Sequence, residues 1–503
     1  MFGVALGFGS HAATGSDAYG YVSQARLLRH GTIHQPEPLA RIASWPDARI
    51  SLAPLGYRPA PHGFTNVPTY APGLPLLMAL ASLVGGACAV YLVVPVCAGA
   101  IVVLTYRLAR RVTDPLAALG AAILAATCPA FLFMSMWPMS DVPVTAFWIG
   151  ALVSASSIDR RGRPVLTGIL TAIAVLIRLN LAPLAIVPFA LSVFSARTST
   201  RDALRPAAIR AAIGILPAVI AIPVLNLVLY GSPIESSYGA VSGLYSIDRV
   251  GRNAALHARW LWESQGWYVL AASIGLAVHL RRGLSSVMTW CAIFAVLVWF
   301  SYLPYHSYRE WWYLRFLLPA LPIVFVFAVD GVATIATRLG PAVRAVATGL
   351  FVAAAAIHAC VFALHSGVFT IGDDEWRHVE TGAYVASALP EDAVVIAGQH
   401  SGSIRYYSAR ETVRFDLVRS DALDAAVRSL AGAKRPVYIV LDAPEEAIFR
   451  ARFAGQQTVE RLRDAPAATL DSRIPVHIFG LAGPALPARI PHLARGFCRE
   501  TEP

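Results

Sequence analysis

The sequence predicts a polytopic α-helical membrane protein carrying a small α/β domain at its C-terminal end, outside the cytoplasm. Three observations predict it. Hydrophobic residues fill 56% of the 503 positions and charged residues only 14%, where soluble globular chains carry about 25% charged residues. Apolar runs of about 15 to 22 residues recur along the first two thirds, separated by basic clusters. The last part of the chain instead alternates short β-branched runs with amphipathic segments. With a mean hydropathy of +0.57, a soluble enzyme is excluded.

Membrane spans are read near residues 90–108, 116–133, 142–157, 165–177, 181–194, 209–229, 266–280, 286–303, 315–335 and 343–364. Met1–Gly9 reads as the surviving end of a first span whose beginning lies upstream, and not as a cleavable signal peptide, because it lacks a basic leader. That gives roughly eleven spans.

The net charge of +11 is a topology signal rather than a nucleic-acid signal. Arg107, Arg110, Arg111, Arg160, Arg161, Arg163, Arg197, Arg201, Arg205, Arg210, Arg281, Arg282, Arg338 and Arg344 fall in alternate loops. The loops of the other side hold four, Arg249, Arg252, Arg259 and Arg309. Positive charge stays inside, so the loop 10–72, the shorter loops around Trp137, Trp260 and Trp311, and everything after about His365 are expected outside. The chain then divides into a transmembrane domain, 1–365, and an extracytoplasmic α/β domain, 366–503, in a multi-pass protein of the inner (plasma) membrane.

Two outer segments carry the pattern of helices lying on the bilayer surface. From Asp17 to Arg29 the apolar positions Ala18, Tyr21, Val22, Ala25 and Leu28 repeat at helical spacing. The run 72–84 is too short to span and precedes a full span. In the tail, helices are expected at 376–389, 421–430 and 444–453, and strands at 393–397, 437–441 and 476–479. Five cysteines sit in apolar stretches and Cys498 stands alone, so no disulfide framework and no paired cysteine metal site is expected.

Soluble-enzyme signatures for nucleotides and for a metal-bound nucleotide diphosphate are absent. What remains are ionisable residues at the outer ends of apolar runs. Asp17 follows Ser16 at the start of the interfacial helix, where the pair reads as a cap and acidic first turn and also as a general base at the water–lipid boundary. Asp141, after Ser140, repeats that arrangement as a second carboxylate for catalysis. Arg178 and Asn180 sit at the turn of a short hairpin, where a charge in apolar surroundings is functional or paired, with Asp141 or Asp17 as partner. The stretch 305–322 gathers His306, Arg309, Trp311, Trp312 and Arg315 before a proline-interrupted run. Guanidinium groups grip phosphate oxygens and aromatic faces suit sugar rings, so Arg315, Arg309 and Arg178 are the donor-phosphate candidates. Tyr21, His62, Tyr70, Trp137, His306, Trp311 and Trp312 are the cavity candidates. Arg58, His257, Arg259 and Glu263 have weaker support as cavity residues.

Four pieces, in order, resemble the GT-C membrane glycosyltransferases, in particular protein O-mannosyltransferases and bacterial lipid A aminoarabinose transferases. They are Ser16-Asp17-Ala18-Tyr19-Gly20-Tyr21, Tyr70-Ala71-Pro72-Gly73-Leu74-Pro75, Ser140-Asp141-Val142-Pro143, and Arg315-Phe316-Leu317-Leu318-Pro319-Ala320-Leu321-Pro322. The resemblance covers about the first two thirds of the chain. It implies transfer of a sugar from a polyprenyl-phosphate donor to a lipid, glycan or protein acceptor outside the cytoplasm, with inversion, with Asp17 as base and Arg315 beside the phosphate, both facing one pocket. Relatives often carry an acidic pair where this chain has Asp17-Ala18, so metal dependence does not carry over; no cofactor is implied firmly, and a divalent metal remains compatible. A transporter or flippase of a lipid-linked glycan is the competing reading, disfavoured because transporters concentrate ionisable groups at mid-membrane. Membrane lipids are expected partners and nucleic acid is not.

Overall fold

Each apolar run forms helix in the computed structural model, which describes residues 1–157, 163–197, 204–235, 241–462, 465–482, 484–487 and 490–498. Arg160, Arg161 and Arg201, counted in the charge bias, lie outside the described residues. Backbone contacts divide the chain into two units.

The first unit comprises Met1–Gly9, Val93–Leu225 and Tyr238–Phe369 and is helical. Among the described residues, the roughly eleven expected spans become five helices long and apolar enough to cross a bilayer alone. These are Ala87–Ala109, Leu179–Ala196, Leu204–Tyr230, Leu321–Leu339 and Pro341–His365, with Pro115–Thr127 and Pro129–Ser135 forming a sixth if the pair, bent by 55°, is one span. The bend falls at Pro129, whose ring clashes with a helical backbone before it. Asp141–Ala155, Arg163–Ile177 and Val287–Tyr302 are apolar but shorter. The last expected span begins later than its apolar pattern: Arg315 belongs to the 3₁₀ segment Trp311–Leu317, and the α-helix starts at Leu321 with Pro322 in its first turn. Proline suits that position, where the missing N–H has no helical acceptor.

Ile213, Leu216, Val219, Ile220 and Val224 of Leu204–Tyr230 each expose half or more of their surface. Water would not accept so continuous an apolar face, and lipid does. Inward, Gly168 and Gly214 let two of these helices touch backbone to backbone, since a Cβ on Gly168 would lie 2.2 Å from the Ala211 carbonyl oxygen.

The second unit gathers Ser10–Leu92, Asn226–Ser237 and Thr370–Pro503. The tail supplies a five-stranded sheet in the order β5-β4-β6-β8-β7, comprising β4 (Val394–Ala397), β5 (Glu411–Arg414), β6 (Val437–Asp442), β7 (Ala468–Leu470) and β8 (Val476–Ala482). Strand β4 is parallel to β5 and β6, while β8 is antiparallel to β6 and β7. Strands β4 and β6 are buried at every position, as their largely apolar, Val- and Ile-rich runs require. The expected helices and strands of the tail are present, together with Ser401–Ser408, β5 and β7, which are too short or too polar to announce themselves.

The loop 10–72 is not a detached excursion. Leu39, Trp45 and Leu52 enter the same apolar core as Val394, Ile439 and Phe449, and Glu37 pairs with Arg405 at 2.7 Å, both buried. The loop also forms its own sheet, β1 (Gln35–Pro36), β2 (Tyr57–Pro59) and β3 (Thr65–Pro68), in the order β1-β3-β2. The helix Asp17–Arg29 has its expected bounds, but residues 18–25 are all buried. It is packed inside this unit rather than laid on the bilayer surface. The expectation of unpaired cysteines also requires correction, because Cys88 and Cys498 form a disulfide. They are 410 residues apart in sequence, and no local pattern announces such a pairing.

Candidate active site

In the helical unit three charged residues, Asp141, Arg178 and Arg315, converge. Helix Asp141–Ala155 begins at Asp141, which is 1% exposed, and helix Arg163–Ile177 stops just before Arg178, whose backbone is extended. Arg178 Nη2 donates to Asp141 Oδ1 at 2.6 Å and its Nη1 to the Tyr302 hydroxyl at 3.2 Å. Arg315 Nη1 lies 3.9 Å from Asp141 Oδ2. One buried carboxylate therefore meets two guanidinium groups. Ser140 makes no capping bond to the first turn of the Asp141 helix.

Aromatic rings hold the two arginines in place. The Arg178 and Arg315 guanidinium carbons lie 5.7 and 5.3 Å from the Phe316 ring centroid, within cation–π range. Phe316 stacks on Tyr302 at 4.8 Å and meets Tyr305 edge-on at 5.2 Å. Burial, foremost, pushes the Tyr305 hydroxyl up to about 12, so it stays a hydrogen-bond donor at neutral pH. Tyr302 and Phe316 were not candidates from sequence, because aromatics within or beside apolar runs look like core. Asn180 bonds the Tyr245 hydroxyl.

Beside this cluster Trp311 and Trp312 pack on Phe133 at 5.4 and 5.7 Å, with Trp137 on the same ring at 5.2 Å. The buried Trp137 indole nitrogen has no hydrogen-bond partner among the described residues. Arg309 and His306 are exposed on the loop. His257 is buried beside Trp260, and desolvation lowers its pKa to about 4. Arg259 and Glu263 form an i,i+4 pair at 2.7 Å.

In the second unit Asp17 is half-buried at the first turn of its helix and accepts a 2.5 Å hydrogen bond from the Tyr70 hydroxyl. The expected cap is not made. Ser16 instead shares a hydrogen bond with the same hydroxyl at 2.7 Å. Tyr21 packs on the Tyr70 ring at 4.7 Å. The close approach depends on Gly20, because a Cβ there would lie 2.3 Å from two Tyr70 ring carbons. Gly20→Val is therefore expected to drive Tyr70 off Asp17, lowering turnover at least about tenfold and stability by about 1–3 kcal/mol. Turnover and thermal unfolding measured together check it, and an unaltered turnover would remove Tyr70 from the site. His62 is exposed in the turn between β2 and β3, and Arg58 is tied to Glu235 at 2.5 Å. For the divalent metal that the sequence leaves compatible, no group of three or more His, Cys, Asp or Glu is placed to hold an ion among the described residues.

Residues 68–226 match the family described as dolichyl-phosphate-mannose-protein mannosyltransferase. Among solved structures, ArnT from Cupriavidus metallidurans in the apo state aligns over 96% of this chain and 97% of its own, at 13% identity and a TM-score of 0.54. The same protein bound to undecaprenyl phosphate aligns over 89% and 92%, at 12% identity and 0.52. The Archaeoglobus fulgidus oligosaccharyltransferase tethered to an acceptor peptide aligns over 88% and 67%, at 13% identity and 0.55. The chain shares the fold of these two solved proteins. No curated protein matches it by sequence. The family match includes Tyr70, Asp141 and Arg178, while Asp17 and Arg315 lie on either side of it.

Proposed function

We propose that this chain moves a sugar from a polyprenyl-phosphate donor to an acceptor outside the cytoplasm, with inversion at the anomeric carbon. The observation that carries the reading is the convergence of Arg178 and Arg315 on the buried Asp141 at one end of the helical unit. A prenyl tail is at home among lipid-facing helices, and an anionic headgroup needs fixed positive charge in a low-dielectric setting. The undecaprenyl phosphate bound by the structurally similar ArnT supports a donor of this class.

In this mechanism Asp17 takes the proton of the acceptor hydroxyl while that oxygen forms its bond to the anomeric carbon. The bond from that carbon to the phosphate oxygen breaks, and the electron pair leaves on polyprenyl phosphate. Arg315, with Arg178, neutralises the charge growing there. Tyr70 fixes the direction of the Asp17 carboxylate. Asp141, held between two guanidinium groups, keeps them near each other. The arginine bias supports an outer position for this end, and the disulfide between Cys88 and Cys498 suits an oxidising compartment.

Purified protein in detergent, incubated with labelled polyprenyl-phospho-sugars and membrane acceptors, is expected to release polyprenyl phosphate and transfer the label to an acceptor. A flippase would move the lipid across a bilayer with the sugar still attached. Label that stays on its lipid with every sugar tried sinks the transferase reading.

A further inference from the structure

The second unit carries a buried ionisable cluster that the proposed glycosyl transfer does not use. His378 lies in the helix Ile371–Ala388 and His400 in the turn after strand β4; they are 1% and 0% exposed, with ring centroids 4.1 Å apart. His400 Nε2 donates to Asp442 Oδ1 at 2.8 Å, and Arg377 bonds both oxygens of that carboxylate at 3.1 and 3.3 Å. Glu445 faces the same turn and accepts from the Gln399 backbone N–H at 2.8 Å. His378 Nδ1 meets the Ser403 hydroxyl at 3.2 Å, and its Nε2 is 3.9 Å from Glu375, which Arg377 also holds at 3.3 Å.

These surroundings suit a neutral His378. Asp442 already answers Arg377 and His400, and Glu375 is shared with Arg377. A cation on His378 would be buried against a guanidinium and a second imidazole, with no carboxylate to itself. Burial, foremost, and then His400 and Arg377 hold the His378 imidazole well below its ordinary range. In the unfolded chain that ring takes a proton below about pH 6.5. The folded unit therefore keeps the full contribution of His378 above that pH and loses it on acidification, by about tenfold in the folding equilibrium per pH unit. Glu445, raised by burial, works the other way and offsets part of the loss.

The turn that holds His400 also seats the helix that begins at Asp17. A Cβ on Gly402 would lie 2.3 Å from the Tyr19 ring. Ser401 Oγ accepts from the Leu55 N–H at 3.3 Å, and the Tyr407 hydroxyl accepts from the Ala13 N–H at 2.7 Å. We propose that His378 and His400 form an acid-sensitive brace for the Asp17 helix: while His378 is neutral the His400 turn holds that helix in place, and a proton on His378 releases it. The bearing of this brace on catalysis rests on the role proposed for Asp17; the opening itself does not.

Two measurements on the full chain in detergent test it. Exchange of the imidazole C2 hydrogens, followed by mass spectrometry across the acid range, reads each histidine, and the His378 midpoint is expected well below about 6.5. Backbone amide exchange, corrected for its intrinsic pH dependence, compares about pH 7.5 with about pH 5.5. Opening of residues 13–25, 376–388 and 401–408 together is expected to rise about tenfold more in the native chain than in His378→Gln, whose side chain does not titrate. An ordinary His378 midpoint, an equal rise in both proteins, or an opening that leaves 13–25 protected would each overturn the brace. The first measurement needs no variant, so misfolding of His378→Gln does not shelter the proposal. Neither readout requires sugar transfer, so a failure here is distinct from a failure of the transferase reading.

Discussion

Asp17→Asn is expected to abolish sugar transfer while leaving the protein folded. Asparagine keeps the shape and accepts the Tyr70 hydroxyl bond that now measures 2.5 Å, so the packing of Tyr70, Tyr21 and Gly20 is undisturbed. What it loses is the ability to hold a proton taken from the acceptor. General-base catalysis contributes about 10²–10⁴-fold, and the loss should appear in the maximal rate with donor affinity unchanged. Tyr70→Phe separates orientation from proton transfer. It removes the bond to Asp17 and to Ser16 but leaves the base, so a smaller fall is expected than in the asparagine variant. Turnover of Asp17→Asn within a few-fold of the native protein refutes the role of Asp17.

The second large effect distinguishes two arginines that look alike in sequence. Arg178 bonds Asp141 at 2.6 Å, whereas Arg315 stands 3.9 Å from the same carboxylate. Arg178→Ala removes the close partner of a carboxylate that is 1% exposed. Stranding a buried charge in this way costs about 3–5 kcal/mol, so thermal unfolding should fall markedly and expression with it. Adding Asp141→Asn to that variant should recover part of the loss, because the stranded charge is gone. Arg315→Ala leaves the Arg178–Asp141 bond intact and should cost little stability. It is expected to weaken polyprenyl-phosphate binding by roughly 10- to 100-fold, the weight of a charge-assisted hydrogen bond. Donor titration and thermal unfolding of the three variants check both statements. If Arg315→Ala melts early and binds donor normally, its role is structural.

Much of the architecture was legible in composition and period. Helices arose where apolar runs lie, since a backbone surrounded by lipid has to satisfy its own hydrogen bonds. The tail read as α/β because β4 and β6 are short Val- and Ile-rich apolar runs. The candidate arginines were legible as charges in apolar sequence, which are costly unless used. Tyr302 and Phe316 were not, because an aromatic beside an apolar run has the same signature whether it fills core or holds a guanidinium. Nor was the short reach of several helices, which depends on where Pro129, Arg178 and Pro322 interrupt the backbone.

The sequence by itself determined the class of protein, the basic and aromatic faces and the carboxylates at helix starts, because these follow from local composition and the 3.6-residue period. Only the tertiary structure decided that Leu39, Trp45 and Leu52 complete the core of the C-terminal sheet, that Cys88 meets Cys498, and that Asp141 stands between Arg178 and Arg315. Each of these joins residues far apart in the chain. Their partners are chosen by packing and by the cost of leaving a buried charge or apolar side chain unmatched, and that cost exists only once the chain has closed on itself.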